Sequence, residues 1–382
     1  MPLKTKNIIG IMSGTSLDGV DVALIKVKGS GLESDYELVA YSSYPYDQDL
    51  VQRILSQSVV ETSDVASITQ LHYELGEVYA SCVSQFMDEH KIEEHIDLIG
   101  LHGQTIHHLP DGNPKSTLQI GSASHLAFVH ETTVVSNFRE MDIVAGGDGA
   151  PLVPYTDYMM FKNKIGQVLL NIGGIANVTV ISKDAKLDEV FAFDTGPGNM
   201  MINAAMQYFY QKDYDKDGLV ASSGELIRDL YDRLLDHEYF SLAPPKSTGR
   251  EMFGVEMVED ICKAYSDQPA DVIHTLTQFT AETIYRAYVD FIIDVTDVSR
   301  LVVSGGGAYN KSLMKALQER FEIEVLTQED LGFSSDAKEA IAFALLANDT
   351  IEGVTNNVPS ATGAKVPVIL GQITQNPRGT KQ

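Results

Sequence analysis

Ile8-Ile9-Gly10-Ile11-Met12-Ser13-Gly14-Thr15-Ser16-Leu17-Asp18-Gly19-Val20-Asp21-Val22-Ala23-Leu24-Ile25-Lys26-Val27 sets two apolar runs around a turn of small residues, hydroxyls and two carboxylates. Ile8–Met12 is short and apolar and Val22–Val27 is β-branched and apolar, which predicts a strand, a turn and the second strand of a hairpin. A turn of this composition can wrap phosphate oxygens with backbone amides and hydroxyls. Its carboxylates can hold magnesium, directly or through water. Gly14-Thr15-Ser16-Leu17-Asp18 nearly spells the Gly-x-Ser-x-Gly of serine hydrolases, but it ends in Asp18 and leads into a strand rather than a helix. The nucleophile elbow of that class is therefore absent.

The same device recurs along the chain. Val190–Phe193 runs into Asp194-Thr195-Gly196-Pro197-Gly198-Asn199, ahead of a helix-like Met200–Tyr210, and Leu301–Val303 runs into Ser304-Gly305-Gly306-Gly307. A carboxylate at a strand end is where α/β folds place chemistry. Three such turns, at the start, middle and end of one chain, point to a split nucleotide site. Other patterns are near-misses. Gly305–Ser312 imitates a P-loop, but Asn310 stands where the glycine before lysine belongs. Asp213, Asp215, Asp217 and Gly218 imitate a calcium loop whose bidentate glutamate, Glu225, falls one residue late, so a solvated turn is expected there. His102, His107 and His108 have no cysteine or carboxylate cluster to complete a zinc site.

Between the turns lie amphipathic segments, including Val65, Ile68, Leu71, Leu75, Val78, Cys82 and Phe86 after the N-cap candidate Asp64. The class is α/β throughout. With 382 residues, two or three domains are expected. Lys and Arg number 28 against 53 Asp and Glu, a net charge of −25, so no basic footprint for nucleic acid exists and anionic membranes would repel the chain. Two distant cysteines point away from a disulfide scaffold. The N-terminal apolar run is too short for a signal-peptide core, and a cytoplasmic location is expected.

The sequence resembles the 1,6-anhydro-N-acetylmuramic acid kinases, within the superfamily of sugar kinases, heat-shock ATPases and actin. The resemblance lies in Gly10–Asp21, Leu101–Pro110, Thr117–Gly121, Asn137-Phe138-Arg139 with Asp142, Gly146–Pro154, Asn171–Asn177, Phe193–Asn199, Ser304–Gly307, Lys338–Phe343 and Pro359–Gly363. It implies two ribonuclease-H-like (actin-like ATPase) lobes with an active-site cleft between them. It places the first lobe at residues 1–138 plus about 370–382 and the second at 139–369.

The resemblance further implies ATP and magnesium as cofactors and a role in cell-wall sugar recycling. The implied reaction opens the anhydro bond of 1,6-anhydro-N-acetylmuramic acid and phosphorylates the freed O6. Asp194 is the expected catalytic base. Gly14, Thr15, Ser16, Leu17, Asp18, Gly19, Val20 and Asp21 would hold the ATP phosphates, with Asp18 or Asp21 near magnesium, and Gly305, Gly306 and Gly307 would let the nucleotide lie on the backbone. Arg139 would pair with the lactyl carboxylate, and Glu339, Gln104 and His107 would bind the sugar. Structural ion pairs are the competing reading for Arg139 and Glu339. A kinase of another sugar or carboxylate, or a non-catalytic ATP-binding regulator, are the alternative functions. A homodimer is the expected assembly.

Overall fold

The computed structural model describes residues 4–15, 17–162, 165–249, 252–332 and 334–379. Its strands in chain order are β1 (Thr5–Met12), β2 (Gly19–Lys28), β3 (Asp35–Pro45), β4 (Leu98–Leu101), β5 (Gln104–Leu109), β6 (Ser116–Ile120), β7 (Val134–Ser136), β8 (Gln167–Ile172), β9 (Ile175–Ile181), β10 (Phe191–Pro197), β11 (Arg300–Ser304), β12 (Glu324–Thr327) and β13 (Gln372–Thr374). The chain divides into two compact units, Met1–Met159 with Asp336–Gln382, and Met160–Ser335.

In the first unit the sheet order is β13-β7-β4-β1-β2-β3. β1 is antiparallel to β2 and parallel to β4, β2 is antiparallel to β3, and β4 is parallel to β7. The expected hairpin is thus present, with Met12 opposite Asp21 at its end. Ile8–Met12 and Val22–Ile25 are buried without alternation. Strands covered on both faces read as continuous apolar runs, which is why this hairpin is so plain in the sequence. One cover is the helix Val65–Glu89, capped by Asp64, whose carboxylate accepts the amides of Ala66 and Ser67 at 2.9 and 3.0 Å. Its Leu71, Leu75, Tyr79, Val83 and Phe86 join the core.

The helix Lys338–Ile351 also beds on this sheet. Gly10 and Gly100 are register partners on β1 and β4. A Cβ on Gly10 would lie 1.8 Å from the Ala340 carbonyl oxygen, and one on Gly100 would lie 2.2 Å from that of Phe343. The missing side chains let the helix backbone settle directly on the strands. This contact keeps residues 336–351 in the first unit. Asp142 does the same for the segment after Arg139. Its fully buried carboxylate accepts the Gly149 amide at 2.9 Å and the side chains of Asn357 and Thr362, both at 2.8 Å. The expected boundaries at 138/139 and 369/370 therefore both fall inside this unit, and the observed divisions lie at 159/160 and 335/336.

The second unit has the order β10-β9-β8-β11-β12. β8 is antiparallel to β9 and parallel to β11, β9 is antiparallel to β10, and β11 is parallel to β12. Counted along each sheet from its first strand, both contain the order 3-2-1-4-5 with the second strand reversed, the ribonuclease-H-like order, and the first sheet adds β13 antiparallel to β7 at its edge. The helices Pro269–Phe291 and Lys311–Arg320 contribute Ala281, Ile284, Leu313 and Leu317 to a core with β8, β9 and β11. Asn310 caps the second of these, its side chain accepting the Leu313 amide at 3.0 Å. A capping residue thus occupies the place where a P-loop needs glycine. The imitation of a calcium loop also resolves as capping. Asp215 is buried, not solvated as expected, and its two oxygens accept the amides of Val220 and Ala221, each at 2.9 Å. No helix among the described residues is long and apolar enough to cross a membrane.

Candidate active site

The first unit carries the turn between β1 and β2. Thr15 and Asp18 are exposed, Leu17, Gly19 and Val20 are buried, and Ser16 lies outside the described residues. Leu17 closes the turn, its amide donating to the Gly14 carbonyl at 3.3 Å, and takes a left-handed φ of 59°. That conformation costs a branched residue about 1 kcal/mol or more. Burial of the Leu17 side chain in the core opposes this cost. Three buried groups hold the turn from below. The Ser13 hydroxyl bonds the Tyr79 hydroxyl at 2.8 Å, the His102 Nδ1 bonds the Ser13 carbonyl at 3.2 Å, and the Gln104 Nε2 donates to the Gly14 carbonyl at 3.1 Å. Gln104 is fully buried, with its Oε1 accepting the Tyr46 hydroxyl at 3.4 Å, so its side chain braces the turn. His107 is half-buried beside a bulge in β5.

Asp21 receives the Tyr41 hydroxyl at 2.8 Å. Burial raises its carboxyl above the ordinary range, and the charges of Asp18 and Asp336 add to the rise, against hydrogen bonds from Ser43 and Tyr41. Arg139 is half-buried and donates from Nε and Nη2 to the His102 Nε2 at 3.2 and 2.9 Å and from Nη1 to the Gly149 carbonyl at 2.8 Å. Burial lowers its pKa to about 10, while Glu339 and Asp142 act to raise it. Glu339 keeps solvent access at the start of its helix, yet desolvation raises its carboxyl, with Lys338 and Arg139 opposing and Asp21 and Asp157 reinforcing. Its neighbour Lys338 is buried and paired to Asp157 at 2.8 Å.

The second unit carries Asp194. Ser304, Asn171, Asn177 and Asp194 are successive register partners across β11, β8, β9 and β10. Directly paired residues share a face, so these four form one polar row. β10 is irregular between Asp194 and Gly196, and such bulges re-aim side chains. The Asp194 Oδ2 accepts the Thr248 amide at 3.0 Å, its own amide donates to the Lys246 carbonyl at 3.1 Å, and its carbonyl accepts the Tyr239 hydroxyl at 2.8 Å.

Within this unit the glycine turns adjoin. The amides of Gly198 and Asn199 donate to the carbonyls of Gly174 and Gly173, both at 2.8 Å, and the Asn199 side chain donates to the Ile172 carbonyl at 3.1 Å. Gly305 has φ +78°, and a Cβ there would lie 2.6 Å from the Asn171 Oδ1, so only glycine lets the 304–307 turn close on the end of β8. Two of the three expected turns, at 194–199 and 304–307, therefore come together here, and the third, at 14–21, belongs to the first unit. The β8–β9 turn at Gly173-Gly174, with Asn171 and Asn177, was not among the expected site residues. The signal available for it was the Gly-Gly pair between two apolar runs, which reads as a hairpin and sets the two asparagines opposite each other. His102 and Thr248 were likewise unanticipated, since their contacts are made by a neutral ring and a backbone amide.

Two ribonuclease-H-like sheets in one chain, with glycine- and carboxylate-bearing turns at their hairpins, define the actin-like fold class. The sequence profile of the family described as anhydro-N-acetylmuramic acid kinase matches residues 6–376. The anhydro-N-acetylmuramic acid kinase of Francisella tularensis subsp. novicida (strain U112) is 50% identical over 374 residues, which cover 96% of this chain and 98% of that protein. The protein of the same name from Bacillus cereus (strain 03BB102) is 44% identical over 379 residues, 97% of this chain and 99% of its own length. The crystal structure of component A of the (R)-2-hydroxyglutaryl-CoA dehydratase of Acidaminococcus fermentans aligns with a TM-score of 0.45 at 14% identity, covering 90% of this chain and 97% of its own. This chain belongs to the anhydro-N-acetylmuramic acid kinase family and is a kinase.

Proposed function

We propose that the chain opens the 1,6-anhydro bond of anhydro-N-acetylmuramic acid with water and transfers the γ-phosphoryl group of ATP to O6, in the recycling of cell-wall sugar. The products are N-acetylmuramate 6-phosphate and ADP. The observation that carries the reading is the carboxylate of Asp194 at the end of β10, oriented by the Thr248 amide and aligned with Asn177 and Asn171. A water attacks the anomeric carbon as the bond from that carbon to O6 breaks. The proton of the water passes to Asp194, and the electron pair released on O6 forms the bond to the γ-phosphorus while ADP departs. O6 needs no separate acid, so one base is sufficient.

In this reading the Gly14–Asp21 turn holds the phosphates and Gly305–Gly307 gives the nucleotide a flat backbone surface. Phosphoryl transfer is mainly positioning and charge stabilisation, which amides and hydroxyls supply without a P-loop lysine. The carboxylate set fits magnesium. Asp21 lies in a neighbourhood whose acidic charges raise its pKa. Among the described residues no three His, Cys, Asp or Glu groups form an all-protein cage. Magnesium is bound by one or two carboxylates plus phosphates and waters, and Asp18 and Asp21 would supply that share. When bound, the ion neutralises charge on the transferring phosphoryl group. Arg139 turns its guanidinium charge to the lactyl carboxylate, Glu339 takes a sugar hydroxyl or the amide, and His107 adds a hydrogen bond. Gln104 is assigned to bracing the turn. The enzyme acts in the cytoplasm as a homodimer. Replacing Asp194 by Asn tests the reading: turnover should be lost while ATP still binds, and near-normal turnover would refute the assignment of the base.

A further inference from the structure

We propose that Lys246 is a positioning residue that holds the Lys246–Thr248 segment as a strap across Asp194, an inference that rests on Asp194 being the base. The strap meets Asp194 twice. The Lys246 carbonyl accepts the Asp194 amide at 3.1 Å, and the Thr248 amide donates to the Asp194 carboxylate at 3.0 Å. What roots the strap is the Lys246 ammonium. It stands 4.6 Å from the ring centroid of Phe291, 4.9 Å from that of Tyr239 and 6.0 Å from that of Phe193. It also approaches the carbonyls of Tyr239 and Phe240 at 3.4 and 3.5 Å. A cation set among aromatic faces is attracted by the ring quadrupoles, the more so when partly desolvated.

The rings are not a generic core. Phe193 precedes Asp194 on β10, and the Tyr239 hydroxyl donates to the Asp194 carbonyl at 2.8 Å. One cationic side chain therefore ties together the strand that carries the carboxylate, the tyrosine beneath it and the segment that bonds it. Loss of the charge frees the root of the strap, and the Thr248 amide no longer fixes the direction of the carboxylate. Water activation then suffers, whereas phosphate binding, assigned to the Gly14–Asp21 turn, does not.

The test is steady-state kinetics of the full chain with Lys246→Met, which keeps the apolar stem, and Lys246→Arg, which keeps a cation able to stack and donate. A hydrogen bond to a charged group is worth enough that Lys246→Met should lower kcat by about 10- to 100-fold. The KM for ATP should stay within about twofold, and Lys246→Arg should recover most of the loss. If Lys246→Met fails to fold, Thr248→Pro, which deletes the amide donor and also fixes φ and removes the hydroxyl that meets Met252, should show the same fall in kcat, with Thr248→Val, which keeps the amide, staying near the parent. Unchanged kcat in the folded variant, or equal impairment of the Met and Arg variants, overturns the proposal. An inactive Asp194→Asn beside a fully active Lys246→Met refutes the strap and leaves the base assignment standing. An active Asp194→Asn removes the base assignment and with it the strap's role.

Discussion

Arg139 donates two guanidinium N–H groups to a single ring nitrogen of His102, at 2.9 and 3.2 Å. That nitrogen must be an unprotonated acceptor, so the proton of His102 sits on Nδ1 and points to the Ser13 carbonyl at 3.2 Å. A residue proposed to read the sugar's carboxylate is thereby joined, through a neutral imidazole, to Ser13, the residue that precedes the proposed phosphate turn. The same geometry uses the Nε–Nη2 edge of Arg139 on His102, while Nη1 donates to the Gly149 carbonyl at 2.8 Å.

His102 should stay neutral throughout the working pH range. Burial first, and the Arg139 charge second, push its pKa down to about 3 from 6.5. The unfolded chain then binds a proton here that the folded chain does not, so stability from this group is complete above about pH 6.5 and falls as pH drops toward 3. Nitrogen-detected NMR should find the Nδ1–H tautomer of His102 from pH 5 to 8. A His102 ring that titrates near 6.5 would contradict the geometry.

Arg139→Lys should damage sugar recognition far more than nucleotide binding. A lysine supplies a point charge but not a planar fork, and it cannot hold His102 and the Gly149 carbonyl together as the guanidinium does. We expect the KM for the anhydro-sugar to rise about tenfold or more. An acceptor lacking the lactyl carboxylate should bind Arg139→Ala and the parent equally. Isothermal titration with both acceptors reads this difference, and a full carboxylate preference in Arg139→Ala would rule out the role.

Gly10→Ala and Gly100→Ala should each destabilise the first unit by about 2 kcal/mol or more, because the added methyl meets helix backbone rather than a movable side chain. Urea unfolding gives the value directly. A loss under about 0.5 kcal/mol in both variants would mean that the helix Lys338–Ile351 does not bed on these glycines.

Both thiols should be inert in the native protein. Cys82 and Cys262 are buried, and burial pushes each up to about 11. A disulfide reagent at pH 8 should label neither until denaturant is added, then both. Rapid labelling of the folded chain would contradict their packing.

The hairpin at residues 8–27 was legible because both strands are covered on both faces and so lack alternation. β3 was not, since it lies at an edge and its Asp35–Pro45 alternates between exposed and half-buried positions with tyrosines and serines. The division of the chain was misplaced because Gly10 and Gly100 recruit a helix more than 200 residues away, a contact no local pattern signals. Asp194 stood out as a carboxylate at a strand end. Its partners did not. Asn177 and Asn171 reach it only through the register of three strands, and Thr248 bonds it with a backbone amide that any residue but proline could provide. Arg139 was singled out for its fork, but half of that fork is engaged by a histidine that sequence alone offered only as a failed zinc ligand.

The central claim is that hydrolysis of the anhydro bond and phosphorylation of O6 are one coupled event. Incubation with ATP, magnesium and the anhydro-sugar in water enriched in heavy oxygen tests it most directly. Product must be read early and compared with unlabelled N-acetylmuramate 6-phosphate held in the same water, because an open-chain sugar slowly exchanges its anomeric oxygen. The account predicts one heavy oxygen at the anomeric carbon and none in the phosphate on O6. Label in released inorganic phosphate with the anhydro ring intact, or phosphorylated product without label at the anomeric carbon, would contradict it.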